Sequence, residues 1–446
     1  MEDTMQIRVT LFLAVIMAML VADLRPGGFG WMPSAAWADD DDDDATPRRR
    51  QVQPRLPAIS LPRLRTPPAP RAQVAPLPRR APNEVIARSL SGEDLQTLQA
   101  AGFTVLRRVR LASGDEFFRL RKPAAMTMLA ARDMVRGLAS TGSADFNHYY
   151  RTENAGAAAA IPGCTKGSCL ARQMIAWPAV TGGCGMPPRI GMVDTGLNAD
   201  HDALRGARIR VHRIQPGDQL PPSDKLHGTA VAALLVGQSD TRAPGLVPHA
   251  ELVAVDAFHK VGGDERMDAF ALVEALDYLT GKQVGIVNLS ISGPPNQTLR
   301  QQLRRMERGG IVLVAAAGNG GPAAKPAYPA AYRPVIAVTA VDRRAQVYRR
   351  ANRGRHIDLA APGVDVWTAA SISGRRNKTG TSYAAPFVTA AAALLLQAEP
   401  GLSVAEIRSR MENSAEDLGM AGPDEVFGHG LIQPPDPCRK TGVTQH

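Results

Sequence analysis

This 446-residue sequence has little cysteine and no acid in its most basic segment, while its 44% hydrophobic and 21% charged residues are ordinary for a globular protein. It has four cysteines, Cys164, Cys169, Cys184 and Cys438. No histidine pair stands near them at ligand spacing, which argues against a zinc site. Its N-terminal apolar run, Val9 to Ala22, is only 14 residues long, whereas a membrane span needs about 20. No acid falls between Arg48 and Arg80, where nine arginines do. Much of the excess behind the net charge of +10 therefore sits in one segment, and the basicity does not point to a nucleic-acid partner.

What is present begins with an export signal. Arg8 precedes the apolar run, and the run's length suits a signal core. Small-residue cleavage sites follow Ala22 and Ala38, and Ala36-Trp37-Ala38 is the better match. Residues 1–38 are read as a signal peptide, with a retained short anchor as the alternative. An exported protein, periplasmic or secreted, without stable membrane association is expected. An even cysteine count in such a chain favours disulfides, with three connectivities open. Cys164 and Cys169 flank a Thr-Lys-Gly-Ser turn and are expected to pair locally, which leaves Cys184 with Cys438.

Residues 39–82 hold six consecutive aspartates and then a Pro/Arg-rich stretch. Such a segment buries too little apolar surface to offset the entropy of ordering, and is read as a disordered linker. Over 83–153 the pattern predicts a strand, a helix capped by Ser91 and ended at Gly102, two strands joined by a Ser-Gly-Asp turn, a second helix and a last strand. This β-α-β-β-α-β order defines a small α+β domain and names no function by itself. Residues 154–188 are Gly/Ala/Pro-rich, carry three cysteines and read as a connection. From Arg189 to about residue 434, Val/Ile-rich runs alternate with helical ones. That alternation predicts an α/β fold with a mostly parallel sheet and helices on both faces. Residues 435–446 form a tail.

In such folds sites gather at the carboxyl ends of strands. RIGMV ends in Asp194, IVLVAAAG ends in Asn319, His227 opens an apolar helical run, and Ser382 sits in GTSYAAP before another. Taken singly, each has a bland explanation: a turn aspartate, a capping histidine, a turn asparagine, an N-cap serine. Together they supply what nucleophilic hydrolysis needs: a hydroxyl, a base, a carboxylate to orient the base, and an oxyanion donor.

VDTG around Asp194, HGTAVA around His227, NLSISGP at 288–294, AAAGN ending at Asn319 and GTSYAAP around Ser382 stand in the order of the subtilisin-like serine proteases, which residues 189–434 resemble. The resemblance implies that Asp194 orients the imidazole, His227 is general base and then acid, and Ser382 attacks the peptide carbonyl. It implies that Asn319 and the Ser382 N–H form the oxyanion hole. It makes 83–153 look like the family's propeptide, an intramolecular folding helper and inhibitor. By position, Ser290, Ile291, Ser292 and Gly293 become a substrate-binding strand, and Gly318 and Ala327 border the pocket for the residue before the cut. Gly262 and Gly263 are expected to form the opposite rim by pairing with substrate backbone.

Three departures stand out. Ala230 replaces a second histidine common in the family. Ser292 replaces a glycine where substrate backbone passes. The loop GQSDTRAPG lacks the Asn-rich insertion that holds calcium in several relatives, so no metal site is assigned although calcium is a candidate. No acid is placed clearly enough to argue for dibasic specificity. The expectation is an exported serine endopeptidase made as a zymogen, acting on protein or peptide substrates without an organic cofactor, with its own propeptide as partner. The rivals are a dedicated processing protease with a narrow target and a non-catalytic binding protein on a protease scaffold.

Overall fold

The computed structural model describes residues 76–152, 169–178, 185–214, 220–370 and 372–438. The expected signal, most of the expected linker, Cys164 and Cys184 lie outside these residues. The first elements are β1 (Arg80–Arg88), α1 (Gly92–Ala100), β2 (Thr104–Arg110), β3 (Glu116–Arg121), α2 (Met128–Arg136) and β4 (Ser143–Thr152). Ser91 caps α1, its hydroxyl accepting from Asp94 N, and Thr127 caps α2 in the same way. β1 starts at Arg80, inside the expected linker. Tertiary pairing extends it: Arg80 lies opposite His148, and its guanidinium sits 4.1 Å over the Phe146 ring.

The strands of this part run antiparallel in the order β2-β3-β1-β4. β1 is buried on both faces at its end, and its alternation sorts the side chains. Val85 and Ala87 pack with Leu98, Phe118 and Val135 in a small core beneath α1 and α2. Ile86 points the other way, into a second core with Phe117 and Phe270, whose rings stack at 4.5 Å.

The larger part contains α3 (Cys169–Met174), β5 (Ile190–Asp194), β6 (Ile209–Arg213), α4 (Leu226–Val236), β7 (Leu252–Asp256), β8 (His259–Val261), β9 (Asp264–Asp268) and α5 (Ala269–Gly281). It continues with β10 (Ile286–Leu289), β11 (Ile291–Ser292), α6 (Gln297–Arg308), β12 (Val312–Ala316), β13 (Val335–Val341) and β14 (Leu359–Pro362). It ends with β15 (Val366–Ala369), β16 (Arg375–Lys378), α7 (Thr381–Ala398) and α8 (Val404–Ser414). Seven strands form a parallel sheet in the order β14-β13-β12-β10-β5-β7-β6. Both faces are apolar, as a parallel sheet covered on both sides requires. Ile190, Met192, Leu252, Ala254, Val312 and Val314 face α4 and α7. Val193, Val253, Val255, Leu313 and Ala315 face α5 and α6. The fold is the expected α/β one.

The two parts are joined through β4. Its Asn147 Oδ1 accepts from Phe270 N (3.1 Å), and its Asp145 Oδ2 accepts from Gln297 N (2.8 Å). These are first-turn amides of α5 and α6, which have no partner within their helices. A carboxylate at the α6 N-terminus is also favoured by the helix dipole. At its far end β4 enters the larger part as a strand. Tyr149 and Tyr150 pair with Asp268 and Met267 of β9, and Arg151 and Thr152 pair antiparallel with Ser292 and Ile291 of β11.

Candidate active site

Asp194 is the last residue of β5 and is fully buried. Its Oδ1 accepts from Thr195 N (2.8 Å) and from His227 Nδ1 (2.7 Å). An ionised carboxylate can only accept, so the shared proton is on Nδ1 and the lone pair of His227 is on Nε2. Nε2 is buried and has no hydrogen-bond partner among the described residues. His227 is the second residue of α4, whose start is pressed onto the end of β5. Thr195 Oγ1 accepts from Gly228 N (3.0 Å). A Cβ on Gly228 would stand 2.4 Å from Thr195 O, so only glycine lets the helix approach this closely.

Ser382 is the second residue of α7 and fully buried. It is not an N-cap: Gly380 occupies that position, and no side chain caps the helix. Ser382 Oγ donates to Ser290 O (3.2 Å), while Ser290 Oγ donates to Ser382 O (2.8 Å). Asn288 Nδ2 donates to Ser290 Oγ (2.9 Å), so β10 and α7 are tied together at this point. The rings of His227 and Tyr383, the residue after Ser382, lie 5.5 Å apart. Asn319 follows β12, and its Oδ1 accepts from both Thr381 N and Thr381 Oγ1 at 3.1 Å. Those bonds turn the amide oxygen toward Thr381 and its NH2 group away from it.

The groove beside Ser382 is filled by the chain itself. Residues 149–152 lie between β9 and β11. The fully buried Tyr150 packs its ring on Gly293, where an added Cβ would be 2.4 Å from the ring, and its hydroxyl donates to Pro294 O (3.0 Å). Ser292 does not obstruct the ladder; it takes Arg151 as its partner. Gly318 and Ala327 are neighbours, with a Cβ on Gly318 falling 3.1 Å from Ala327 Cβ. Gly262 and Gly263 need correction. They form the turn between β8 and β9, and the backbone facing β4 is instead that of Met267 and Asp268. Two-glycine turns are what short hairpins select, and that turn chemistry governs these positions.

Sequence reasoning missed two acids. Asp256 ends β7 directly beside Asp194 in the parallel register. Burial raises its carboxyl above the ordinary range, against hydrogen bonds from Ser223 and Phe258 N. Its position after a Val-rich strand was the available signal. Asp264 binds Arg151 through two bonds of 2.7 Å. Nothing in the local sequence distinguishes it from a turn residue. Among the described residues no cluster of three or more His, Cys, Asp or Glu forms a metal-binding group.

Residues 186–430 match the model of the subtilase family. Subtilisin DY of Bacillus licheniformis is 32% identical over 249 residues, covering 55% of this chain and 88% of that protein. The minor extracellular protease Epr of Bacillus subtilis is 30% identical over 58% of this chain, which spans only 39% of Epr. Fervidolysin from Fervidobacterium pennivorans, a keratinolytic enzyme related to subtilisin, shares the fold with a TM-score of 0.66 and 22% identity, over 80% of this chain and 60% of its own. The chain belongs to the subtilase family and is a subtilisin-like serine endopeptidase.

Proposed function

We propose that this endopeptidase is exported as a zymogen and works through Asp194, His227 and Ser382. In this mechanism His227 Nε2 takes the proton of Ser382 as Oγ attacks the substrate carbonyl carbon. Asp194 holds the ring in the Nδ1–H tautomer and stabilises the imidazolium that forms. The Ser382 N–H and the Asn319 NH2 group stabilise the tetrahedral oxyanion. His227 then returns its proton to the leaving amine, and water repeats the sequence on the acyl-enzyme. Every step uses side chains and backbone of this chain, so no organic cofactor is invoked, and no calcium site is assigned.

The observation that carries the zymogen reading is the lodging of β4 between β9 and β11, ending beside Ser290, whose carbonyl accepts from Ser382 Oγ. A strand added to both rims of a cleft is how an extended peptide is bound. Residues 80–152 then act as inhibitor and folding partner, and a cut beyond Thr152 releases them. Export is supported by the apolar N-terminal run and by the extracellular description of the Epr relative. N-terminal sequencing of the purified enzyme is the test: a mature start between residue 153 and Cys164 is expected. Ser382→Ala should abolish peptidase activity and leave the precursor uncut. A fully active enzyme that keeps residues 80–152 attached would make them a permanent accessory domain and end the zymogen reading.

A further inference from the structure

The end of β4 is held by more than backbone pairing. Arg151 Nε donates to Asp264 Oδ1 and Arg151 Nη2 to Asp264 Oδ2, both at 2.7 Å, a parallel two-bond fork. Arg151 Nη2 also donates to Pro78 O of its own segment (2.8 Å). The Asp264 side chain is only 7% exposed, so the pair is largely shielded from water. Asp264 is positioned from the enzyme side. It opens β9, and Arg266 Nη1 donates to its Oδ2 at 2.9 Å. Burial pushes the Asp264 carboxyl up, but the hydrogen bonds and charges of Arg151 and Arg266 outweigh this and hold it below the ordinary range. When β4 leaves, Arg266 stays. Of the bonds described here, Oδ2 then keeps one, and Oδ1 loses the one from Arg151.

The register says where on a substrate this carboxylate acts. Arg151 lies opposite Ser292 and Thr152 opposite Ile291. A peptide bound in the same register places its next residue opposite Ser290, whose carbonyl lies 3.2 Å from Ser382 Oγ. A reacting carbonyl must stand within about 3–3.5 Å of the nucleophile, so that next residue supplies the scissile carbonyl. The residue opposite Ser292 is therefore the third before the cut. The residue preceding it fills the pocket that holds Tyr150 against Gly293.

We propose that Asp264 is a specificity-determining residue, and that this enzyme selects substrates with arginine at the third position before the cut. The proposal rests on reading β4 as a substrate-like tail. A lysine there offers a point charge and cannot match the fork. A glutamate would bring like charge to a shielded carboxylate.

The test uses enzyme purified from the full chain and quenched-fluorescence peptides with the sequence of residues 147–162, either unchanged or carrying Arg151→Ala, Arg151→Lys or Arg151→Glu. The unchanged peptide should be cut after Glu153 with kcat/KM about tenfold above Arg151→Ala, as charge-assisted bonds of this kind imply. Arg151→Lys should fall between them and Arg151→Glu below both. In enzyme carrying Asp264→Asn or Asp264→Ala, the ratio of unchanged to Arg151→Ala peptide should fall toward one. Equal cutting of the two peptides by unaltered enzyme overturns the proposal while leaving the zymogen reading intact. So does a ratio that survives both Asp264 variants. Failure to cut any of the four peptides after Glu153, by enzyme that hydrolyses casein, overturns the reading of β4 and this proposal with it.

Discussion

At the scale of single residues, the site works through groups whose freedom has been removed. The Nδ1 bond to Asp194 leaves His227 one tautomer, and the buried Nε2 has no competing partner among the described residues. Asn319 is held from Thr381, the residue before the proposed nucleophile, so donor and nucleophile share one rigid helix start. In the proposed mechanism the amide acts on charge that exists only after attack. Asn319→Ala should then lower kcat by about 10²–10³ with little change in KM. That magnitude was measured on subtilisin's own oxyanion-hole asparagine and is carried over to this relative. Steady-state kinetics on a short peptide check it, and an unchanged kcat would remove Asn319 from the oxyanion hole.

At the scale of elements, the seam between β4 and α6 carries a proton-sensitive contact. Asn296, the N-cap of α6, donates from Nδ2 to His148 Nδ1 (3.1 Å) and to Phe146 O (2.9 Å). His148 Nδ1 must be unprotonated to accept. Burial, with repulsion from Arg80, Arg79 and Arg132 set against the attraction of Asp145, lowers the pKa of His148 from 6.5 to about 4. Between those values the unfolded chain binds the proton and the folded one does not. This contribution to stability is therefore whole above pH 6.5 and is lost as pH falls toward 4. Denaturant midpoints of the Ser382→Ala precursor should drop on acidification across this window, and His148→Gln should flatten the slope. A slope unaltered by His148→Gln would place the sensitivity elsewhere. Asp145 reinforces the same seam through Gln297 N, and Asn147 ties β4 to α5 through Phe270 N; side-chain acceptors at helix N-termini are worth about 0.5–2 kcal/mol each.

At the scale of the whole molecule, α7 runs through the centre of the structure. By length and hydropathy it passes as a membrane span, yet 83% of it is buried against this protein's own sheet and helices. Cys438, near the end of the described chain, is disulfide-bonded. Pairing with Cys184 would tie the start of the parallel-sheet part to its end, with Cys164 joined to Cys169. Closing so long a loop should stabilise by about 5 kcal/mol in the chain-entropy model. Peptide mapping without reduction should recover both pairs, and four free thiols or any other pairing would reject the assignment.

The sequence by itself determined most of the frame. Short Val/Ile-rich runs with both faces apolar, alternating with helical runs, fit the inner strands of a covered sheet, and the motifs around Asp194, His227, Asn319 and Ser382 were legible because each ends a strand or opens a helix of that alternation. The Ser91 cap and the β-α-β-β-α-β order were equally local, and so were readable. What the tertiary structure alone decided depends on contacts between distant segments. Arg80 became a strand residue because His148 lies opposite it. Gly262 and Gly263 became a turn because β8 folds back on β9. Asp264 became a partner for Arg151 across 113 residues of chain, an encounter that no periodicity or spacing encodes. Local patterns report which face a residue buries; they carry no information about which remote side chain it meets there.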